Sequence, residues 1–208
     1  MTKKEWTILA IGVGVAVGAG ITFGIFSRGV SGGRRRAVRA ALKEYKFWNK
    51  GKTKESDSSV RARLSRYWEN AGAPDYGYAQ PWSAAWISHV MEQAGMGDRF
   101  PKSPTHHTYI RQAVKSRGDR NAPFVAYTPK EYAPRLGDLV CYARQSGIDF
   151  FSDRSFKSHC DIVVDKTKGI TTVIGGNVSN TVKATDYQTD RKGRILNDKV
   201  KWIIKNNA

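Results

Sequence analysis

Apolar residues in the stretch Pro81 to Gly95, PWSAAWISHVMEQAG, fall at Ile87, Val90, Met91 and Ala94. That is the i, i+3, i+4, i+7 spacing of one helical stripe. Pro81 suits the start of this helix, and Gly95 with Gly97 suits its end. The pattern predicts further helices over Ala37 to Trp48, basic and amphipathic, and over Val60 to Ala71, with a short one over Tyr109 to Lys115. Beyond Lys115 the period shifts from 3.6 to two. Strands are predicted over Leu136 to Ala143, His159 to Asp165, Ile170 to Ile174 and Lys199 to Ile204, with a tight turn at Thr167 to Gly169. Helices first and an antiparallel sheet afterwards make an α+β domain.

The amino-terminal pattern is different. Trp6 to Phe26 is an uncharged run of 21 residues, long enough at ~1.5 Å per residue to cross a bilayer core of roughly 30 Å. Gly14 and Gly18, Ala16 and Gly20, and Gly20 and Gly24 are each spaced for close helix packing, so self-association through this helix is expected. A signal peptide is the competing reading, although no clean cleavage site follows. Arg28, Arg34, Arg35, Arg36, Arg39 and Lys43 outnumber the lysines ahead of the run, which by the positive-inside rule puts the body on the cytoplasmic side, in conflict with a role on the cell wall, and the orientation stays open. Ser27 to Gly33 reads as a flexible joint. The resulting division is a glycine-rich transmembrane helix over 1–27, a basic neck over 28–36 and a folded domain over 37–208.

Composition narrows the partners. In 208 residues, 40% hydrophobic with six Trp, there is material for a real core, and the net charge of +17 calls for an anionic partner. Candidates are an anionic cell-wall polymer, a membrane surface or nucleic acid; no nucleic-acid fold signature is present. Cys141 and Cys160 are the only cysteines, and they have no metal-ligand spacing, so no metal or cofactor is expected. A bridge between them is undecided by sequence; their apolar surroundings favour two buried thiols.

Candidate chemistry starts at Ser83, in the first turn of the central helix, where free N–H groups and the positive dipole end face outward. A hydroxyl there either caps the helix or acts as a nucleophile. Period two puts His159, Asp161 and Val163 on one strand face and Cys160, Ile162 and Val164 on the other, so Cys160 points away from His159. Asn177 follows Gly175 and Gly176, which permit close backbone approach. His106 and His107 are expected in a loop lining the cleft. His89 points away from Ser83 around the helix, and Asp138 caps a Gly-Asp turn.

The order of these parts resembles NlpC-like and CHAP-like papain-fold hydrolases, which cut peptidoglycan peptides or amides. More closely, PWSAAWISHVMEQAG, FPKS, GDLVCYAR, SHCDIVV and VIGGNVSNTV together resemble the domain of unknown function 2272. The resemblance implies a papain-like, NlpC-type fold, with Ser83 as nucleophile, His159 as base and Asn177 as the third polar residue. Trp82, His106 and Asp161 would contact substrate, with Asp161 also the rival to Asn177 for orienting His159. Ser83 stands where the wider group has Cys, and a hydroxyl, unlike a thiol, needs a base to remove its proton. The implied function is a membrane-tethered peptidoglycan hydrolase of the cell envelope or a phage particle. The alternative is a non-catalytic module that inserts in a membrane or binds cell wall.

Overall fold

The computed structural model describes residues 31–77 and 80–208. Four helices are followed by six strands: α1 (Gly32–Phe47), α2 (Arg61–Asn70), α3 (Ser83–Gln93), α4 (His106–Lys115), β1 (Phe124–Tyr127), β2 (Leu139–Ala143), β3 (Ser158–Thr167), β4 (Ile170–Gly175), β5 (Lys183–Gln188) and β6 (Val200–Asn206). The strands form one antiparallel sheet in the order β1-β6-β2-β3-β4-β5. The α+β order expected from the pattern is present; β1 and β5 are additions to it.

α3 is the centre of the packing. Every residue from Ser83 to Met91 is buried, because the helix lies against α1 and α2 on one side and β3 and β4 on the other. A helix apolar on most of its circumference is stable only in such a surround. Cys160, Ile162 and Val164 of β3 join this helix-side core, while Val163 belongs to a smaller cluster with Val140, Val173 and Ile203. That division is the one period two requires.

Three expectations are corrected. Cys141 and Cys160 are not two thiols: they form a disulfide, because β2–β3 register sets them directly opposite with Cα atoms 4.1 Å apart. The neck ends earlier than expected, since α1 begins at Gly32, capped by Ser31, and Arg34 is buried with Nη2 3.3 Å from Asp138 Oδ1. The third concerns the membrane. Among the described residues no helix is long and apolar enough to cross one, so the fold is stated without a transmembrane helix. Trp6 to Phe26, on which that expectation rested, lies outside the described residues, as do the glycine pairs and the region 1–27.

Candidate functional site

Helix and strand starts converge to build the site. α3 opens at Ser83 with no side chain capping it, leaving first-turn N–H groups at the positive end of the dipole. α4 opens at His106 and carries Tyr109 three residues on, on the same helical face. The approach to α4 is tied to α3: Ser88 Oγ donates to the Ser103 carbonyl and accepts from the Ser103 N–H, each at 3.0 Å. β3 supplies His159 and Asp161, and the chain leaving β2 supplies Arg144, whose N–H is bonded to the Lys157 carbonyl at 2.7 Å.

Ser83 Oγ lies 2.7 Å from His106 Nε2, and the Tyr109 hydroxyl is hydrogen-bonded to His106 Nδ1. The His159 ring sits 5.2 Å from that of His106, centroid to centroid. Asp161 Oδ1 is 2.8 Å from His159 Nε2, and Arg144 Nη2 is 3.0 Å from His159 Nδ1. A guanidinium only donates, so His159 Nδ1 accepts and its proton sits on Nε2, donated to Asp161. Burial pushes His106 well below the usual histidine range, helped by the positive charge of Arg144. His106 is therefore a neutral imidazole, the form a general base needs. Burial and the Asp161 charge push Tyr109 up, keeping it a phenol.

Gly175 and Gly176 make this arrangement fit. A Cβ at Gly175 would overlap Asp161 Oδ1 and stand 3.1 Å from His159 Nε2; one at Gly176 would meet Trp86 Cγ at 2.5 Å. The glycines thus admit a carboxylate and an indole, not the Asn177 amide. Gly175→Ala is expected to cost about 1–3 kcal/mol, the usual range for overpacking a filled interior. Urea denaturation measures that loss. Displacement of the His159 ring resonances, compared with wild type, shows whether the overlap falls on the Asp161–His159 pair.

The expected Ser83–His159–Asn177 triad is not the set the structure brings together. Ser83 meets His106, and both ring nitrogens of His159 are already engaged by Asp161 and Arg144. Asn177 sits half-buried in a turn with φ of 56°. Asp161, its rival, is the residue that orients His159. Trp82, expected to touch substrate, is fully buried, stacked on Trp48 at 4.9 Å with its N–H donated to Glu55 at 2.7 Å. His106 lies in a helix rather than a cleft-lining loop, and His107 leans on Phe156 outside the cluster. Tyr109 and Arg144 were not anticipated at the site. For Tyr109 a signal existed: its i, i+3 spacing from His106. Among the described residues no group of three His, Cys, Asp or Glu could hold a metal ion.

A family model described as uncharacterized protein conserved in bacteria, domain of unknown function 2272, matches residues 41–206. The chain belongs to that family. No curated protein and no solved structure matches it. The comparisons therefore name no hydrolase and no phage protein, and the phage-particle expectation is dropped. The narrower papain-like description of this family member's fold is dropped with it; what stands is α+β with one six-stranded antiparallel sheet.

Proposed function

We propose that the domain breaks an amide bond by acyl transfer through Ser83, with His106 as general base. The observation that carries this reading is the 2.7 Å contact between a hydroxyl at an uncapped helix start and Nε2 of a buried, neutral imidazole. With the His106 proton on Nδ1 and donated to Tyr109, Nε2 is free to take the Ser83 proton as Oγ attacks the carbonyl carbon. The first-turn N–H groups of α3 are the donors available to the oxyanion. Collapse of the tetrahedral intermediate breaks the C–N bond, and His106 returns its proton to the leaving amine. Water, deprotonated by the same imidazole, then splits the Ser83 ester and restores the serine.

The substrate class proposed is a peptide amide of the bacterial cell wall. The family is conserved in bacteria. A net charge of +17 favours an anionic polymer, and a disulfide persists in an oxidising compartment such as the cell envelope. The test is incubation of the full-length chain with purified peptidoglycan, followed by mass spectrometry of soluble fragments. New amine and carboxylate ends, absent with Ser83→Ala, are the expected result. No fragments from the wild-type chain would overturn the proposal. A second reading, a non-catalytic module whose cluster only fastens α3 to α4 and β3, is favoured by the 3% exposure of Ser83. It predicts intact peptidoglycan with every variant and a loss of stability in Ser83→Ala.

A further inference from the structure

Some arginines of the described fold bond a backbone carbonyl, as Arg36 and Arg154 do, while five are matched to carboxylates: Arg34 to Asp138, Arg63 to Glu44, Arg111 to Asp153, Arg117 to Glu131 and Arg194 to Asp190. Arg144 is not. It is exposed, and among the described residues it pairs with no carboxylate, although it stands one imidazole away from the Ser83–His106 pair. Its position is nonetheless fixed. The backbone N–H is bonded to the Lys157 carbonyl at 2.7 Å, Nη2 donates to His159 Nδ1 at 3.0 Å, and the guanidinium reaches the Tyr142 hydroxyl. Gln145 Oε1 accepts from the Lys157 N–H at 2.8 Å, securing the strand crossing from the other side.

A guanidinium held by one edge has its remaining N–H donors directed elsewhere, in the planar fork that matches a carboxylate. His159 cannot be the reason for the charge, since accepting one hydrogen bond at Nδ1 does not require a cation. We propose that Arg144 receives a free carboxylate of the substrate, so that the amide cleaved at Ser83 is flanked by one. This rests on the acyl-transfer reading and names the substrate feature within it. His159 lies between the Ser83–His106 pair and Arg144, its ring centroid 5.2 Å from that of His106 and its Nδ1 bonded to Arg144. At ~3.5 Å of extended chain per residue, a carboxylate on Arg144 belongs within a few residues of a scissile bond at Ser83.

The experiment uses a synthetic peptidoglycan stem tetrapeptide with free carboxylates and the same peptide with every carboxylate amidated. The wild-type full chain is expected to cleave the free-acid peptide with kcat/KM at least tenfold higher, mostly through KM. Arg144→Gln brings the free-acid peptide down to the amidated one, and Arg144→Lys restores part of the preference. Binding is read separately by calorimetry in Ser83→Ala, which turns nothing over. There the free-acid peptide binds at least tenfold more tightly, and Ser83→Ala/Arg144→Gln shows no preference. A variant that merely disturbed His159 would weaken both peptides alike, which would overturn the proposal. Equal cleavage of both peptides by the wild type, abolished in Ser83→Ala, overturns the role of Arg144 and leaves the acyl-transfer reading standing. Binding preference without cleavage by the wild type supports Arg144 and removes the reading of Ser83 as nucleophile. Neither binding nor cleavage overturns both.

Discussion

Ser83→Ala is expected to lower amide cleavage by about 10⁴-fold or more, the scale on which removing a nucleophile acts in serine hydrolases. His106→Ala is expected to cost about as much. The double variant is expected to be no worse than either single one, because hydroxyl and imidazole act as one unit joined by the 2.7 Å contact. His159→Ala separates this arrangement from its rival. In the structure His159 touches Asp161 and Arg144 rather than Ser83, so its loss is expected to cost roughly 10–100-fold, the range for a group that orients others. If His159→Ala were the severe variant and His106→Ala the mild one, the base would be His159. The pH profile gives a second check. A base must be unprotonated, so activity is lost as pH falls through its pKa. Burial holds His106 well below 6.5, so kcat/KM should be flat down through pH 6.5, with its acid limb lying lower.

How far the sequence carried this picture is seen at particular residues. Pro81 and Gly95 bracket α3, and their chemistry alone puts Ser83 in its first turn. Period two places His159 with Asp161 and sets Cys160 apart, as β3 does. The pairing of Ser83 was not legible, because it depends on where α4 begins. His106, His107 and Thr108 are polar and carry no apolar stripe, so a helix start there looks like loop. One turn of extra helix converts His106 from a cleft residue into the partner of Ser83. β5 escaped for a similar reason. It is an edge strand exposed at most positions, and a strand with no buried face shows no alternation. Gly175 and Gly176 announce close approach without saying of what; only the register of β3 against β4 brings Asp161, not Asn177, into the space. Arg144 is one of many arginines in a basic chain, and its distinction, an unmatched charge beside His159, exists only in three dimensions.

Glu44→Ala is expected to be the most damaging substitution for stability, at about 3–5 kcal/mol, the cost of removing one partner from a buried charged group. Glu44 lies on α1 at 2% exposure and accepts from the Tyr67 hydroxyl and, at 3.3 Å, from Arg63 Nη1. His89 Nε2 stands 3.4 Å from its Oε1. Tyr67 in turn accepts from the Trp48 indole N–H at 2.8 Å, and Trp48 stacks on Trp82, the residue before Ser83. Alanine would strand the Tyr67 hydroxyl and the groups on α2 and α3 that face Glu44. Glu44→Gln keeps an acceptor and is expected to cost less, which urea denaturation at pH 7 distinguishes. Burial by itself would raise the Glu44 pKa, but hydrogen bonds from His89 and Tyr67 and the charges of His89 and Arg63 outweigh it and hold the carboxyl below its ordinary 4.5. A carboxyl depressed in the folded state contributes stability above its unfolded pKa and loses it as pH falls through the folded value. The difference in stability between wild type and Glu44→Gln should therefore be full above pH 4.5 and shrink below it. A difference that stayed constant through that range would mean Glu44 acts by shape alone, and that the network fastening α1 and α2 beneath α3 is not held by its charge.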